Sequence, residues 1–217
     1  MKPIQLVLCK PFEKTPLGGS RFWGNPDLPS DMDYPTYISS DGEEWEYQFV
    51  CQINLSEIAA LDTEDRLPHT GLLSFFARID HYLGRFDDGG SIEGYISDPE
   101  DVKVMYFPEV TEDFQEVVLL DEDDQELNPA ELEIRFGLER PVGCHEDHSL
   151  LAEPTHREWE TWEPPFEDWQ ILLQVDSFSG MDFNLNFMDC GVLDFLISPE
   201  ALSERRFEYV RAIVLST

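Results

Sequence analysis

The sequence is short of cations. Its 14 lysines and arginines face 46 aspartates and glutamates, a formal net charge of −32, and a field of that sign repels phosphate backbones and anionic lipid surfaces. Nucleic acid and membranes are therefore not expected as partners. Long apolar runs are missing too. Nothing approaches the roughly 20 consecutive apolar residues that a membrane-spanning helix needs, and Met1-Lys2-Pro3 opens no apolar leader. The four cysteines (Cys9, Cys51, Cys144, Cys190) are scattered, with Cys51 and Cys190 in apolar stretches, where a reduced thiol behaves as a small hydrophobe. A reduced, cytoplasmic protein is the expectation. The nucleophile elbow, the phosphate-cradling glycine loop and the paired-histidine zinc helix are also missing. No catalytic residue and no cofactor is assigned on that basis.

What is present is enough apolar material for a core. At 217 residues and 41% hydrophobic, with 15 Phe, 7 Tyr and 5 Trp, the chain is not a disordered acidic protein, because those lack the side chains that offset conformational entropy. Short apolar or alternating runs read as strands over residues 4–8, 46–55, 72–78, 102–107, 169–175, 192–197 and 209–215. In 46–55 the alternation puts Tyr47, Phe49, Cys51 and Ile53 on one face. Two short helices are expected. Ser56 is a candidate cap for 57–61, and Ser198-Pro199-Glu200-Ala201 combines a capping serine, a first-position proline and an acid in the first turn. Residues 114–120 and 132–138 are expected to pair as a hairpin, and Asp87-Asp88-Gly89-Gly90 to form a turn. The fold class expected is α+β, mostly antiparallel sheets with few short helices.

One echo organises the chain. Gln52-Ile53-Asn54, followed by Gly71-Leu72-Leu73-Ser74-Phe75-Phe76, recurs about 120 residues later as Gln174-Val175-Asp176, followed by Gly191-Val192-Leu193-Asp194-Phe195-Leu196. Matching positions alternate apolar and polar in the same phase. That implies internal duplication of a sheet core within a single unit over 1–217, with half-cores around 46–78 and 168–215. Gln52, Asn54, Gln174 and Asp176 could then line a cleft between the halves, joined by His148. A carboxylate and an imidazole there can do acid–base work if burial tunes them. The plainer alternative is that the glutamines satisfy buried backbone groups.

The densest acid is Asp121, Glu122, Asp123 and Asp124, then Glu126. Such a block is a solvated loop, expected here as a hairpin tip, and it is the candidate partner-facing surface if the charge is functional. Cys144, His145, His148 and His156 gather zinc-compatible ligand types, but no second ligand pair accompanies them. Polar loop residues and no metal are the expectation. Arg21, beside Phe22 and Trp23, is expected to make a local ion pair or a cation–π contact.

Several of these segments, in order, resemble the YwqG-like family, a bacterial family of uncharacterised domains. The resemblance rests first on Gly18-Gly19, Asp27-Leu28-Pro29, Tyr34-Pro35 and Val50-Cys51-Gln52-Ile53-Asn54-Leu55. Leu67-Pro68 with 71–76, His148-Ser149-Leu150-Leu151-Ala152-Glu153-Pro154, 172–176, 189–197 and 202–207 continue it. The chain departs at Ala152, where the family often has glycine, and at Phe187-Met188, where Trp-Gly is common. The resemblance implies an α+β fold with antiparallel sheets and brings no established activity or cofactor. Two functional expectations stand. One is a non-enzymatic protein-binding module steered to a basic partner by its charge, with an immunity protein against a basic toxin as one form. The other is a small-ligand binder or hydrolase-like enzyme using the polar cleft. Solubility alone also accounts for the charge.

Overall fold

Short apolar runs broken by glycine, proline and acidic turns favour strands over helices, and strands are what the chain forms. The computed structural model describes residues 2–39, 41–79, 94–154, 162–180, 183–187 and 190–215. The strands of the first part are β1 (Ile4–Cys9), β2 (Arg21–Phe22), β3 (Asp27–Pro29), β4 (Thr36–Ile38), β5 (Glu44–Glu46), β6 (Gln48–Asn54), β7 (Leu72–Ala77) and β8 (Val102–Phe107). Those that follow are β9 (Phe114–Glu116), β10 (Leu132–Gly137), β11 (Ser149–Leu150), β12 (Gln170–Asp176), β13 (Phe178–Gly180), β14 (Phe183–Leu185), β15 (Val192–Ile197) and β16 (Arg211–Leu215).

Helix amounts to only 6%, in α1 (Leu55–Ile58), α2 (Pro199–Ser203) and one 3-10 turn, so the α+β expectation is corrected to all-β. Both helix starts exist. Ser198 accepts from Ala201 N with Pro199 at the first helical turn, whereas α1 is capped by Asn54, whose side chain accepts from Ser56 N, rather than by Ser56. Each helix stops after about one turn, too short to present an amphipathic face or form a layer. No helix among the described residues is long and apolar enough to cross a membrane.

Ten strands form one antiparallel sheet in the order β16-β15-β12-β11-β1-β10-β2-β6-β7-β8. Read from its two ends, the order matches β16 to β8, β15 to β7, β12 to β6, β11 to β2 and β1 to β10. The registers match as well. Gln52 faces Ser74 and Cys51 faces Phe75, as Gln174 faces Asp194 and Leu173 faces Phe195. Both ladders bulge at the same place, between Phe49 and Cys51 and between Ile171 and Leu173. The first strand of each half crosses over: β1 pairs with β11, β10 with β2, and β1 with β10 at the centre.

The bulges decide the packing, because one extra residue changes which face the following side chains take. Val50, Cys51 and Ile53 therefore enter the main apolar cluster together with Leu172, Leu173 and Val175. Phe49 and Ile171 pack outside it, in two separate clusters. The expected single face of Tyr47, Phe49, Cys51 and Ile53 is corrected by that bulge. The main cluster fills a nearly closed, barrel-like sheet, across which the Phe75 and Phe195 ring centroids lie 5.3 Å apart.

The sheet ends in two edge strands, β16 and β8. Residues 94–97 add to β16: Gly94 N donates to Val214 O, Ser97 N to Ala212 O, and Ala212 N to Ser97 Oγ. Opposite β8 stands a 3-10 turn, Phe207–Tyr209, with the Phe207 ring 5.4 Å from that of Tyr106. Elsewhere β9 pairs with β3 and β10 joins the main sheet, so the expected pairing of 114–120 with 132–138 is corrected. The acidic turn sits instead on a shorter hairpin closed by the Leu120–Glu126 bridge. The 87–90 turn and His156 lie outside the described residues.

Candidate functional site

Gln52 is buried in β6, and its amide is engaged by the loop leading to β3. Nε2 donates to Gly19 O at 2.8 Å and to Asp27 Oδ2 at 2.7 Å, while Oε1 accepts from Asp27 N at 2.9 Å. Asp27 Oδ2 also accepts from Gly18 N at 2.7 Å, and Oδ1 pairs with the Arg21 guanidinium. The Arg21 and Asp27 side chains are 1% and 0% exposed, a burial of charge offset by their pairing and by the two hydrogen bonds that Asp27 Oδ2 accepts. Asn54 extends the network, its N donating to Ser20 Oγ and its Nδ2 to Gly18 O, both at 2.8 Å. Gly18 sits at φ 75°, a backbone that favours glycine. The local ion pair expected of Arg21 is thus made with Asp27, a residue given no role by sequence. The available signal was a lone cation near an acid inside a glycine- and aromatic-rich loop.

The other half rebuilds this arrangement. Gln174 Nε2 donates to Asp147 O at 2.8 Å, as Gln52 does to Gly19 O. Asp176 N donates to His148 Nδ1 at 3.1 Å, as Asn54 N does to Ser20 Oγ. Asp176 Oδ2 accepts from Asp147 N at 2.9 Å, and Arg140 holds the Asp147 carboxylate at 2.6 Å. Acceptance at Nδ1 places the proton of the neutral imidazole on Nε2. Burial drives this, pushing the His148 pKa down to about 4 against the opposing pull of Glu146 and Asp147. The ring lies against Phe22 and Phe178, at centroid distances of 5.7 and 5.3 Å. Burial also raises the Asp176 carboxyl above its ordinary range. At neutral pH His148 is a hydrogen-bond acceptor for the backbone rather than a charged acid.

Gln52 and Asn54 therefore share one loop, and His148, Gln174 and Asp176 share its counterpart. Among the described residues no hydrogen bond or ion pair joins the two groups, and β2, β10, β1 and β11 separate β6 from β12 in the sheet. They approach where Phe22 meets His148. An open cleft of about 380 Å³ borders the second group, lined by Glu146, Asp176, Phe178 and Cys190 among others.

The acidic segment is an ordered turn. Asp121 Oδ1 accepts from Asp123 N at 2.8 Å and from Gln125 N at 2.9 Å, and Asp124 takes φ 59°. Asp121, Glu122, Asp123, Asp124 and Glu126 are all exposed, with Glu126 tied back to Asn25 Nδ2 at 3.1 Å. Beside them, Val118 and Leu120 are 41% and 51% exposed. Meanwhile Lys14, Arg21, Arg66, Arg78, Arg140 and Arg206 each pair with a carboxylate of the same chain. The surplus negative charge is left at the surface. The Cys144 thiol donates to Glu146 Oε2 at 3.4 Å, and among the described residues no group of three or more His, Cys, Asp and Glu side chains could hold a metal ion.

A family model described as a domain of unknown function (DUF1963) matches residues 20–163 and 145–214. No curated protein matches the chain. The matched spans include Gln52, Asn54, His148, Gln174 and Asp176 and leave out Gly18, Gly19 and β1.

Proposed function

We propose that this chain, which belongs to the family described as a domain of unknown function (DUF1963), acts by binding a basic protein. The observation that carries the reading is where the charge lies. The net charge is −32, many of the cations are engaged by carboxylates of the same chain, and the exposed acids of 121–126 flank exposed Val118 and Leu120. Complementary potential steers encounter, and apolar side chains set among the acids supply contact area. Neutralisation of a basic toxin domain, as an immunity protein does in the reduced cytoplasm, is the form that fits best. Within the family we place the chain on the YwqG-like pattern of 71–76 and 191–197, as one unit over 1–217 built on half-cores around 46–78 and 168–215. Gln52, Asn54, Gln174 and Asp176 have their side chains engaged by loops of their own halves, which favours a binding surface over a shared catalytic cleft.

Co-expression with basic toxin domains encoded beside the gene tests this. The expected result is protection of growth, with a calorimetrically detected complex weakened about tenfold or more by high salt. Unprotected cells and no complex by calorimetry would sink the reading.

A further inference from the structure

The two edges of the sheet, β16 and β8, differ in a way that marks a second site. Edge strand β16 is covered from within the chain by residues 94–97, which bond Ala212 and Val214. Its counterpart is β8, with Phe107 matching Leu215 across the two ladders, so Val104 and Tyr106 stand where Ala212 and Val214 stand. Arg78 N donates to Asp101 O, and hydrogen-bonded pairs alternate along an antiparallel ladder. The amides of Lys103 and Met105 therefore turn toward β7, and those of Val104 and Tyr106 turn outward. Among the described residues nothing supplies those two a backbone partner. The chain facing them is the 3-10 turn Phe207–Tyr209, not an extended segment. Between the turn and the strand lies an open cleft of about 540 Å³, lined by every residue of β8 together with Met32, Arg205, Phe207 and Glu208 among others. Lys103 and Arg205 on its wall have no ion pair among the described residues, in a chain whose cations are mostly engaged.

We propose that this cleft docks an extended peptide segment of a partner protein. The segment adds to β8, exchanging backbone hydrogen bonds with Val104 and Tyr106, rests apolar side chains on the half-buried Met105 and Tyr106, and sets a carboxylate against Lys103 and Arg205. Strand addition takes affinity from the main chain and selectivity from flanking side chains. The chain carries its own precedent: the segment bonded to β16 is Gly94-Tyr95-Ile96-Ser97, followed by Asp98, an uncharged stretch ending in an acid. This site is separate from the acidic hairpin and stands without the reading built on that hairpin.

Amide hydrogen exchange followed by NMR, with the acetylated, amidated peptide Gly-Tyr-Ile-Ser-Asp as the probe, tests it. In the free protein the Val104 and Tyr106 amides should exchange at least about 100-fold faster than that of Ala212. Adding peptide should protect both and shift resonances along β8. The exposed double variant Lys103→Glu, Arg205→Glu should weaken binding at least about tenfold. Three results overturn the proposal: Val104 and Tyr106 as protected as Ala212 in the free protein, no shift on β8 at about 1 mM peptide, or full binding by the charge-reversed variant.

Discussion

His148 and Ser20 occupy corresponding positions and do the same job with different atoms, each accepting a hydrogen bond from the backbone N–H of Asp176 or Asn54. For His148 that job requires neutrality. Its folded pKa is about 4 against an ordinary 6.5, so between those values the unfolded chain takes up a proton that the folded chain refuses. The stability is fully present above the ordinary value and falls as pH drops through that window, by about 3 kcal/mol in all. His148→Asn keeps an acceptor for Asp176 N and removes the titration. Urea denaturation at pH 7 and pH 4.5 should show the wild type losing more stability than the variant; equal losses would contradict the assignment. Arg21 makes a second test. Arg21→Ala leaves Asp27 buried without its counter-ion and should cost about 3–5 kcal/mol, and Asp27→Ala should cost a comparable amount. The double variant should lose clearly less than the sum, because the two residues share one interaction. At this scale sequence was half legible. The Gln52 and Gln174 correspondence is visible because the residue type is retained, whereas Ser20 and His148 share only an acceptor atom.

Elements were legible where a signal is local. The Ser198 cap and Pro199 mark a real helix start, yet nothing local states that the helix ends after one turn, and the α+β expectation failed for that reason. The bulges in β6 and β12 were hidden because apolar residues occupy both faces there, leaving no alternation to break. The Gly71 and Gly191 echo has a physical basis that only packing reveals. A Cβ at Gly71 would fall on Phe107 O, and one at Gly191 on Leu215 O, the last residues of the corresponding strands β8 and β16. Gly71 also holds φ 92°, where an L side chain is strained. Gly71→Ala and Gly191→Ala should each destabilise the fold by about 1–3 kcal/mol or more, read as a lower urea midpoint. An unchanged midpoint in either would show that the carbonyl can move aside.

The whole molecule combines a topology that sequence hides with a charge that sequence displays. The crossing of β1 and β10 into opposite halves leaves no trace in composition or periodicity, because a strand reads the same whichever neighbour it pairs with. The charge of −32 is read directly and has a consequence for the isolated protein. Self-repulsion destabilises the compact state, and raising salt from about 0.01 M to about 1 M shortens the Debye length from about 30 Å to about 3 Å. The melting temperature should therefore rise with added sodium chloride, and a fall would mean that ion pairs such as Arg140 with Asp147 outweigh the repulsion. The claim that this charge serves recognition is tested most directly by side-by-side capture from native-host lysate. One bait is the wild-type chain; the other carries Asp121, Asp123 and Asp124 as Asn, and Glu122 and Glu126 as Gln. Mass spectrometry should find basic proteins enriched on the wild type and lost from the neutralised hairpin. The same proteins retained on both baits, or no basic protein on either, would contradict the account.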